Sequence, residues 1–136
     1  MEKEIQGSCL CGKVQFVIWG TCERFYFCHC SRCRKATGSA HASNILIKAD
    51  QFRWISGEEN IKKYDLETAQ FFSKSFCSNC GSPVPYLSRR GNGVVVQAGL
   101  LSDDIEMKPQ ANIYYASKAK WYESGLMATK FEEAQK

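Results

Sequence analysis

Cys28-His29-Cys30-Ser31-Arg32-Cys33-Arg34-Lys35 is the stretch around which the chain is organised, with three cysteines in six residues followed by two cations. A cluster of reduced cysteines this dense is typical of a site that binds a soft metal ion. Two smaller groups flank it, Cys9-Leu10-Cys11 upstream and Cys77-Ser78-Asn79-Cys80 downstream. Seven of the eight cysteines therefore fall in three tight groups, and the fold depends on how these groups divide between metal sites.

Cysteine spacing and the expected compartment both favour metal ligands over disulfides. Residues 1–6 contain no apolar stretch, so we expect neither a signal peptide nor a membrane anchor, and no later apolar run is long enough to cross a bilayer. The expected location is the cytoplasm, where disulfides are rare. Cysteine pairs separated by one or two residues converge on one point instead of joining distant segments. Cys22 stands alone and is predicted to be a small buried hydrophobe or a bystander thiol.

Length and composition indicate one soluble globular domain. A chain of 136 residues with 44% hydrophobic and 24% charged residues fits a single domain, which we place at 1–136, with 127–136 as a polar tail or a short helix. The net charge of +4 is spread along the chain without a basic arm. This charge is weak evidence for a nucleic-acid partner, which we do not expect. It fits an anionic small ligand equally well.

Short apolar runs separated by turns predict an all-β, or β-rich, domain. Strands are expected at 13–19, 24–27, 42–47, 52–55, 61–64, 70–76, 84–87, 94–98 and 111–115. A helical turn is expected at 31–36, closed by Gly38. The polar turn 56–60 should join two of the strands, and the Asn-Gly pair at 92–93 predicts a hairpin.

The two outer cysteine pairs could together close one metal site. Residues i and i+2 of a strand point to the same face, so Cys9 and Cys11 can address a single ion. Cys77 and Cys80 lie three residues apart, which is a zinc-knuckle spacing. Four thiolates complete a tetrahedron and exclude water, so such a site would be structural and would tie the N-terminal strand to a distant segment.

Under that division Cys28, Cys30 and Cys33 remain, and three ligands leave the fourth position of a zinc ion open. An open zinc binds water or an incoming thiol, lowers the pKa of that thiol and holds it as a thiolate nucleophile. Spacing leaves alternatives: Cys28 and Cys30 could close a site with the downstream pair, and His29 could be a ligand. Both ions could also be purely structural.

Three blocks of the sequence resemble the glutathione-dependent formaldehyde-activating enzyme family, which also includes centromere protein V. The blocks appear in the family's order and span most of the chain, and shorter stretches at 99–103 and 117–121 resemble its C-terminal pattern. The three blocks are 7–14, 28–39 and 76–83.

The resemblance implies a β-tent fold with two zinc ions per chain. It implies a structural zinc held by Cys9, Cys11, Cys77 and Cys80, and a catalytic zinc held by Cys28, Cys30 and Cys33. The implied partners are a small thiol, glutathione, and a small aldehyde such as formaldehyde. Their addition gives S-hydroxymethylglutathione, which makes the enzyme a carbon–sulfur lyase in the reverse direction.

The cations that follow the last cysteine, Arg34 and Lys35, are candidates for binding the carboxylates of glutathione, since an Arg fork matches a carboxylate bidentately. The alternative is charge balance, because three or four thiolates leave a metal site net negative. Arg32 is the weaker candidate, as it precedes the last ligand.

Four further side chains near these motifs are assigned more ordinary roles. His29 is predicted not to bind the metal. It is expected either to hydrogen-bond to a metal ligand or to lie at the surface. His41 could accept a proton from the incoming thiol, although an ordinary strand histidine is favoured. Arg89 and Arg90 are predicted to form a solvated hairpin tip.

Three functions fit this sequence. The first is a zinc enzyme that activates a thiol and directs it at an aldehyde carbon. The second is a non-catalytic zinc-bound β module that binds a protein partner. The third is nucleic-acid association, for which an extended basic arm is missing from the sequence.

Overall fold

Eleven short strands and two short helices make up residues 3–135, the part of the chain that the computed structural model describes. The helices are α1 (Ser31–Thr37) and α2 (Tyr122–Leu126). The strands are β1 (Glu4–Ser8), β2 (Gln15–Trp19), β3 (Arg24–Cys28), β4 (Ala42–Ile47), β5 (Phe52–Ser56), β6 (Ile61–Asp65), β7 (Ser73–Cys77), β8 (Pro83–Val84), β9 (Tyr86–Leu87), β10 (Val94–Gln97) and β11 (Ala111–Ile113).

The strands form three sheets, which confirms the predicted β-rich class. The sheet orders are β1-β2-β5, β11-β3-β4-β10-β9 and β6-β7-β8. Neighbouring strands are antiparallel except for β11, which runs parallel to β3. The five-stranded sheet is central to function, because β3 leads directly into the main cysteine cluster.

One face of the five-stranded sheet supplies the main core. Alternate residues of β4 and β10, among them Ile45, Ile47 and Val96, point to this face and are almost fully buried beneath Phe16 of β2. Cys22 belongs to the same core and is 7% exposed, which confirms the prediction of a small buried residue. Because side chains alternate along a strand, the remaining residues of β3 and β4 face the other way.

The cysteine cluster itself begins helix α1. Cys30 is the N-cap, and its Sγ accepts a hydrogen bond from the Cys33 backbone N–H at 3.3 Å. Gly38 ends the helix in the left-handed conformation, with φ 65°, and its N–H donates to the Arg34 carbonyl. The predicted helical turn and its glycine stop are therefore confirmed, and α1 fixes the cysteines relative to one another.

The structure also departs from the sequence predictions. Strand β1 was not expected, because Glu4–Ser8 carries little apolar signal of its own and forms by pairing along β2. Strands β5 and β6 lie on either side of the predicted turn but belong to different sheets, so the turn carries the chain between sheets. The 88–93 connection does join the paired strands β9 and β10.

The C-terminal part of the described chain is largely exposed. Helix α2 was not predicted, and residues 127–135 form neither helix nor strand and are exposed throughout. Lys136, the last residue of the predicted tail, lies outside the described residues, as do residues 1–2 of the predicted domain. Among residues 3–135, no helix has the length and apolar character needed to traverse a bilayer.

Candidate functional site

The two outer cysteine pairs meet in space, as the first division of ligands expects. The Sγ atoms of Cys9, Cys11, Cys77 and Cys80 all lie within 4.8 Å of one another. Two of these separations are 3.6 Å, between Cys9 and Cys11, and 3.9 Å, between Cys11 and Cys77. Cys9 follows β1 and Cys77 ends β7, so this four-cysteine cluster connects the first and third sheets. The cluster could hold a metal ion.

Two of these sulfurs, Cys9 and Cys80, form hydrogen bonds with neighbouring groups, and their pKa values shift in opposite directions. The Val14 backbone N–H donates to Cys9 Sγ at 3.3 Å, although burial raises the pKa of Cys9. The Ser82 hydroxyl lies 3.3 Å from Cys80 Sγ, and this hydrogen bond lowers the pKa of Cys80 to about 5. A thiol that ionises readily is a better metal ligand, because metal binding must displace its proton.

Cys28, Cys30 and Cys33 form a second cluster, with their Sγ atoms also within 4.8 Å of one another. All three come from one continuous segment, which runs from the end of β3 into the first turn of α1. The hydrogen bond with Cys33 lowers the pKa of Cys28 to about 6, and the same bond raises the pKa of Cys33. Within residues 3–135, no fourth ligand atom from Cys, His, Asp or Glu joins this group.

A small cavity of about 40 Å³ lies against Cys33. It is bordered by Phe72, Lys74, Tyr86 and Gln97, which come from the segment before β7, from β7 itself, from β9 and from β10. No sequence pattern groups these residues with the cysteines, because they come from four segments that only the tertiary fold brings together.

Polar groups around this cavity are partly unpaired. Gln97 donates through Nε2 to the Val84 carbonyl at 3.0 Å, while its Oε1 is buried without a partner. Lys74 Nζ donates to the Ala36 carbonyl near the end of α1. The pKa of Tyr86 is raised to about 12 by burial and by the negative charge of the nearby cysteines. The phenol therefore keeps its proton at neutral pH and acts as a hydrogen-bond donor.

An open groove borders Cys28 on the other side. Tyr26 and Asn44, which pair across β3 and β4, lie along it, and Arg24 and Arg90 also border it. None of these four residues was a sequence candidate for the site. The alternation of Arg24, Tyr26 and Cys28 along β3 is the signal that could have identified Arg24, because residues i, i+2 and i+4 share a face.

His29 is completely buried, so the surface alternative for this residue is wrong. Its Nε2 lies 2.9 Å from Asn112 Oδ1, and its ring contacts those of His41, Tyr115 and Tyr122 at centroid distances of 4.7 to 5.1 Å. Its Nδ1 has no hydrogen-bond partner. His29 is not part of either cysteine cluster and instead anchors the segment between Cys28 and Cys30 to β11 and the C-terminal region.

Arg34 and Lys35 lie on helix α1 and line neither the cavity nor the groove. Arg34 Nη1 donates to the Ser117 carbonyl at 3.2 Å, and Lys35 is exposed to solvent. Arg34 therefore links the helix to the C-terminal segment in this structure. A role for either cation in substrate binding stays a prediction.

Arg89 and Arg90 are exposed, as predicted for a hairpin tip, but both also contact the segment before β7. Arg89 Nη1 donates to the carbonyls of Ala69 and Phe72, at 3.4 and 3.0 Å. The Arg90 guanidinium lies 4.4 Å from the centre of the Phe71 ring. The hairpin thereby holds the 69–72 segment beside the three-cysteine cluster, which Phe72 contacts.

Two known proteins resemble this chain. An uncharacterised lyase from Schizosaccharomyces pombe is 27% identical over 88 residues, which cover 65% of this chain and 61% of that protein. The chain thus spans less than two thirds of that relative. A crystal structure of a Rhodobacter sphaeroides protein matches with a TM-score of 0.58 and 23% identity, over 79% of this chain and 98% of that one. The structural likeness supports the β-tent fold and nothing beyond it.

A family model gives the broadest match. The model of the glutathione-dependent formaldehyde-activating enzyme covers residues 4–117, a range that includes both cysteine clusters, the small cavity and the groove. It leaves out only the N-terminal residues and the exposed C-terminal segment. The chain therefore belongs to the glutathione-dependent formaldehyde-activating enzyme family.

Proposed function

We propose that this protein is a zinc-dependent carbon–sulfur lyase whose reverse reaction adds glutathione to a small aldehyde such as formaldehyde. Membership of the family, together with the relative named as a lyase, supports lyase chemistry. The observation that carries the proposal is the three-cysteine cluster, which is one ligand short of a tetrahedron and borders a small cavity through Cys33 and a groove through Cys28.

Sulfur geometry supports zinc at the four-cysteine cluster. With Zn–S bonds of about 2.3 Å, tetrahedral coordination requires S···S separations of about 3.8 Å. The separations of 3.6 and 3.9 Å from Cys11 to Cys9 and Cys77 bracket this value. We therefore assign a structural zinc to this cluster and a second zinc to the other, giving two ions per chain.

At the second cluster, Cys28, Cys30 and Cys33 would hold the catalytic ion. Zinc bound there would accept a thiol at its open position and lower the pKa of that thiol, supplying a thiolate. In the addition, a C–S bond forms between the thiolate and the carbonyl carbon. The π electrons of the C=O bond move to oxygen, which takes up a proton and completes the S-hydroxymethyl product.

The small cavity beside Cys33 has room for the aldehyde. A cavity of about 10–15 Å³ holds one water molecule, so one of about 40 Å³ accepts an electrophile of formaldehyde size. Tyr86 borders both this cavity and the groove. With its pKa raised to about 12, its hydroxyl can donate a hydrogen bond to the oxygen that gains charge as the thiolate adds, which is stabilisation of the oxyanion-hole type.

Proton NMR of glutathione and formaldehyde, with and without the zinc-loaded protein, tests the proposal. We expect faster formation of S-hydroxymethylglutathione with the wild type and no acceleration with Cys30→Ser. A wild-type rate equal to the uncatalysed rate would exclude the enzyme. Two bound metal ions without any thiol binding would instead favour the protein-binding module.

Tyr86→Phe tests the hydrogen-bond donor separately. Removing one oxyanion donor costs about 100-fold in kcat, so we expect a loss of that size with little change in the affinity for glutathione. Tyr64→Phe is the matched control, because Tyr64 is 53% exposed on β6 and borders neither the cavity nor the groove. Full kcat in Tyr86→Phe would show that the hydroxyl takes no part.

A further inference from the structure

The groove beside Cys28 has a defined chemical polarity. Strand alternation places Arg24, Tyr26 and Cys28 on one face of β3, opposite the face that packs into the main core. Cys28 lies at one end of this row and Arg24 at the other. We call this surface the arginine groove, bordered by Arg24, Tyr26, Cys28, Asn44, Phe71 and Arg90.

The positive charge in the arginine groove is not neutralised by the protein. The ion pairs among residues 3–135 involve other cations, and no Asp or Glu borders the groove. Arg90 lies over the Phe71 ring at 4.4 Å, a contact that orients the guanidinium while leaving its hydrogen-bond donors available. Two arginines that lack an acidic partner form a site suited to carboxylates.

The dimensions of the groove match a thiol of tripeptide size. Arg24 and Cys28 are four residues apart on β3, which separates their Cα atoms by about 13 Å in a strand. Three extended residues span about 10 Å. An arginine side chain that reaches along the groove closes the difference, so a ligand with its sulfur at the cysteine cluster can place a carboxylate at Arg24.

We propose that Arg24 and Arg90 bind the carboxylates of the thiol substrate and select an anionic, peptide-sized thiol over a small neutral one. This inference rests on the proposed function, since it assumes that the thiol binds at the three-cysteine cluster. It assigns substrate selection to a sheet face and a hairpin tip, whereas sequence reasoning pointed to the cations that follow Cys33. Arg89 supports the site by holding the 69–72 segment, and with it Phe71, beside the groove.

Binding measurements on the zinc-loaded full chain test the proposal. The ligands are glutathione, 2-mercaptoethanol and S-methylglutathione. The sulfur of S-methylglutathione carries no proton and cannot become a thiolate, so its affinity measures the contribution of the arginines alone. For Arg24→Gln and for Arg90→Gln we expect the affinity for both glutathione compounds to fall about tenfold each. The affinity for 2-mercaptoethanol should stay unchanged. Salt should weaken binding of glutathione by the wild type more than binding of 2-mercaptoethanol.

Arg53→Gln is the matched control, because Arg53 is an exposed arginine on β5, with its guanidinium 6.0 Å from the Trp19 ring centre and away from the groove. Unchanged glutathione affinity in both groove variants, with the wild type active, would refute the carboxylate site and leave the proposed function standing. If the wild type shows no turnover but binds S-methylglutathione in a way that depends on Arg24 and Arg90, the proposed function is refuted. The carboxylate site is then supported. A wild type that binds neither glutathione compound would refute both.

Discussion

Replacing Cys77 by serine is expected to remove much of the stability of the fold. Cys77 is completely buried at the end of β7 and packs with Cys9, Val14 and Val84. Its Sγ lies 3.9 Å from that of Cys11, within the cluster that joins the first sheet to the third. The substitution removes one proposed zinc ligand and places a hydroxyl in a site that excludes water.

The size of the effect follows from these two losses. A structural zinc contributes about 10–16 kcal/mol to folding in zinc-finger peptides, so losing one of four ligands removes about 2.5–4 kcal/mol on an equal share. Burying an unpaired hydroxyl costs a further ~1–3 kcal/mol. The sum of about 3.5–7 kcal/mol is comparable with the whole stability of an ordinary domain, about 5–15 kcal/mol.

Urea unfolding of the zinc-loaded protein, followed by far-ultraviolet circular dichroism, measures this change. Cys30→Ser is the matched control, because Cys30 is the partly exposed N-cap of α1 and serine is among the preferred N-cap residues. We expect this control to lose the second metal ion and to be destabilised much less than Cys77→Ser, because the ligands of that ion lie in one short segment that can also bind zinc in the unfolded chain.

The reasoning would be refuted by equal destabilisation from the two substitutions. It would also be refuted if Cys77→Ser were as stable as the wild type. A third contrary result would be a difference in stability between Cys77→Ser and the wild type that a strong chelator leaves unchanged. With the zinc removed from both proteins, the difference should shrink to the packing contribution of about 1–3 kcal/mol.

Two further predictions concern stability away from the clusters. Gly57→Ala should lower the free energy of unfolding in urea by about 3 kcal/mol or more, since φ is +86° and a Cβ would meet the Lys13 carbonyl. Gly91→Ala is the control, because Gly91 has a φ of +74° but open space around it, and it should cost only about 1 kcal/mol. Similar losses for the two would contradict the packing argument. The Ser73 hydroxyl donates to Asp65 at 2.6 Å and lowers the pKa of that carboxyl, so the wild type should lose stability as the pH falls below about 4. Asp65→Asn should reduce that loss in acid titrations, and an identical pH profile would show that the hydrogen bond does not favour the ionised form.

The cysteine pattern carried most of what could be predicted about the metal clusters. Ligands separated by one to three residues must converge whatever the surrounding fold, because the backbone between them is too short to do otherwise. That is why Cys28, Cys30 and Cys33 are adjacent in the structure as they are in the sequence. Cys9 and Cys77 lie close together only because two sheets approach each other. The spacing of the cysteines along the chain could not predict that approach.

The residues that surround the three-cysteine cluster were beyond sequence reasoning for a physical reason. Tyr86, Gln97 and Arg90 reach the site through the pairing of β9 and β10 and through the fold of the hairpin between them. No local pattern distinguishes them from ordinary strand or turn residues. Arg24 is different: the sequence analysis did not single it out, but alternation along the predicted strand would have placed it on the face of Cys28.

The two cysteine clusters differ in how they are connected to the chain, and this difference separates stability from chemistry. The four-cysteine cluster takes its sulfurs from two segments that are 66 residues apart between Cys11 and Cys77, so an ion there stabilises the folded arrangement of two sheets. The three-cysteine cluster takes all of its sulfurs from residues 28–33, held by β3 and by the first turn of α1. Filling or emptying it changes no long-range connection. Under the proposed function, exchange of a ligand at the second cluster during turnover would therefore leave the connection between the sheets intact.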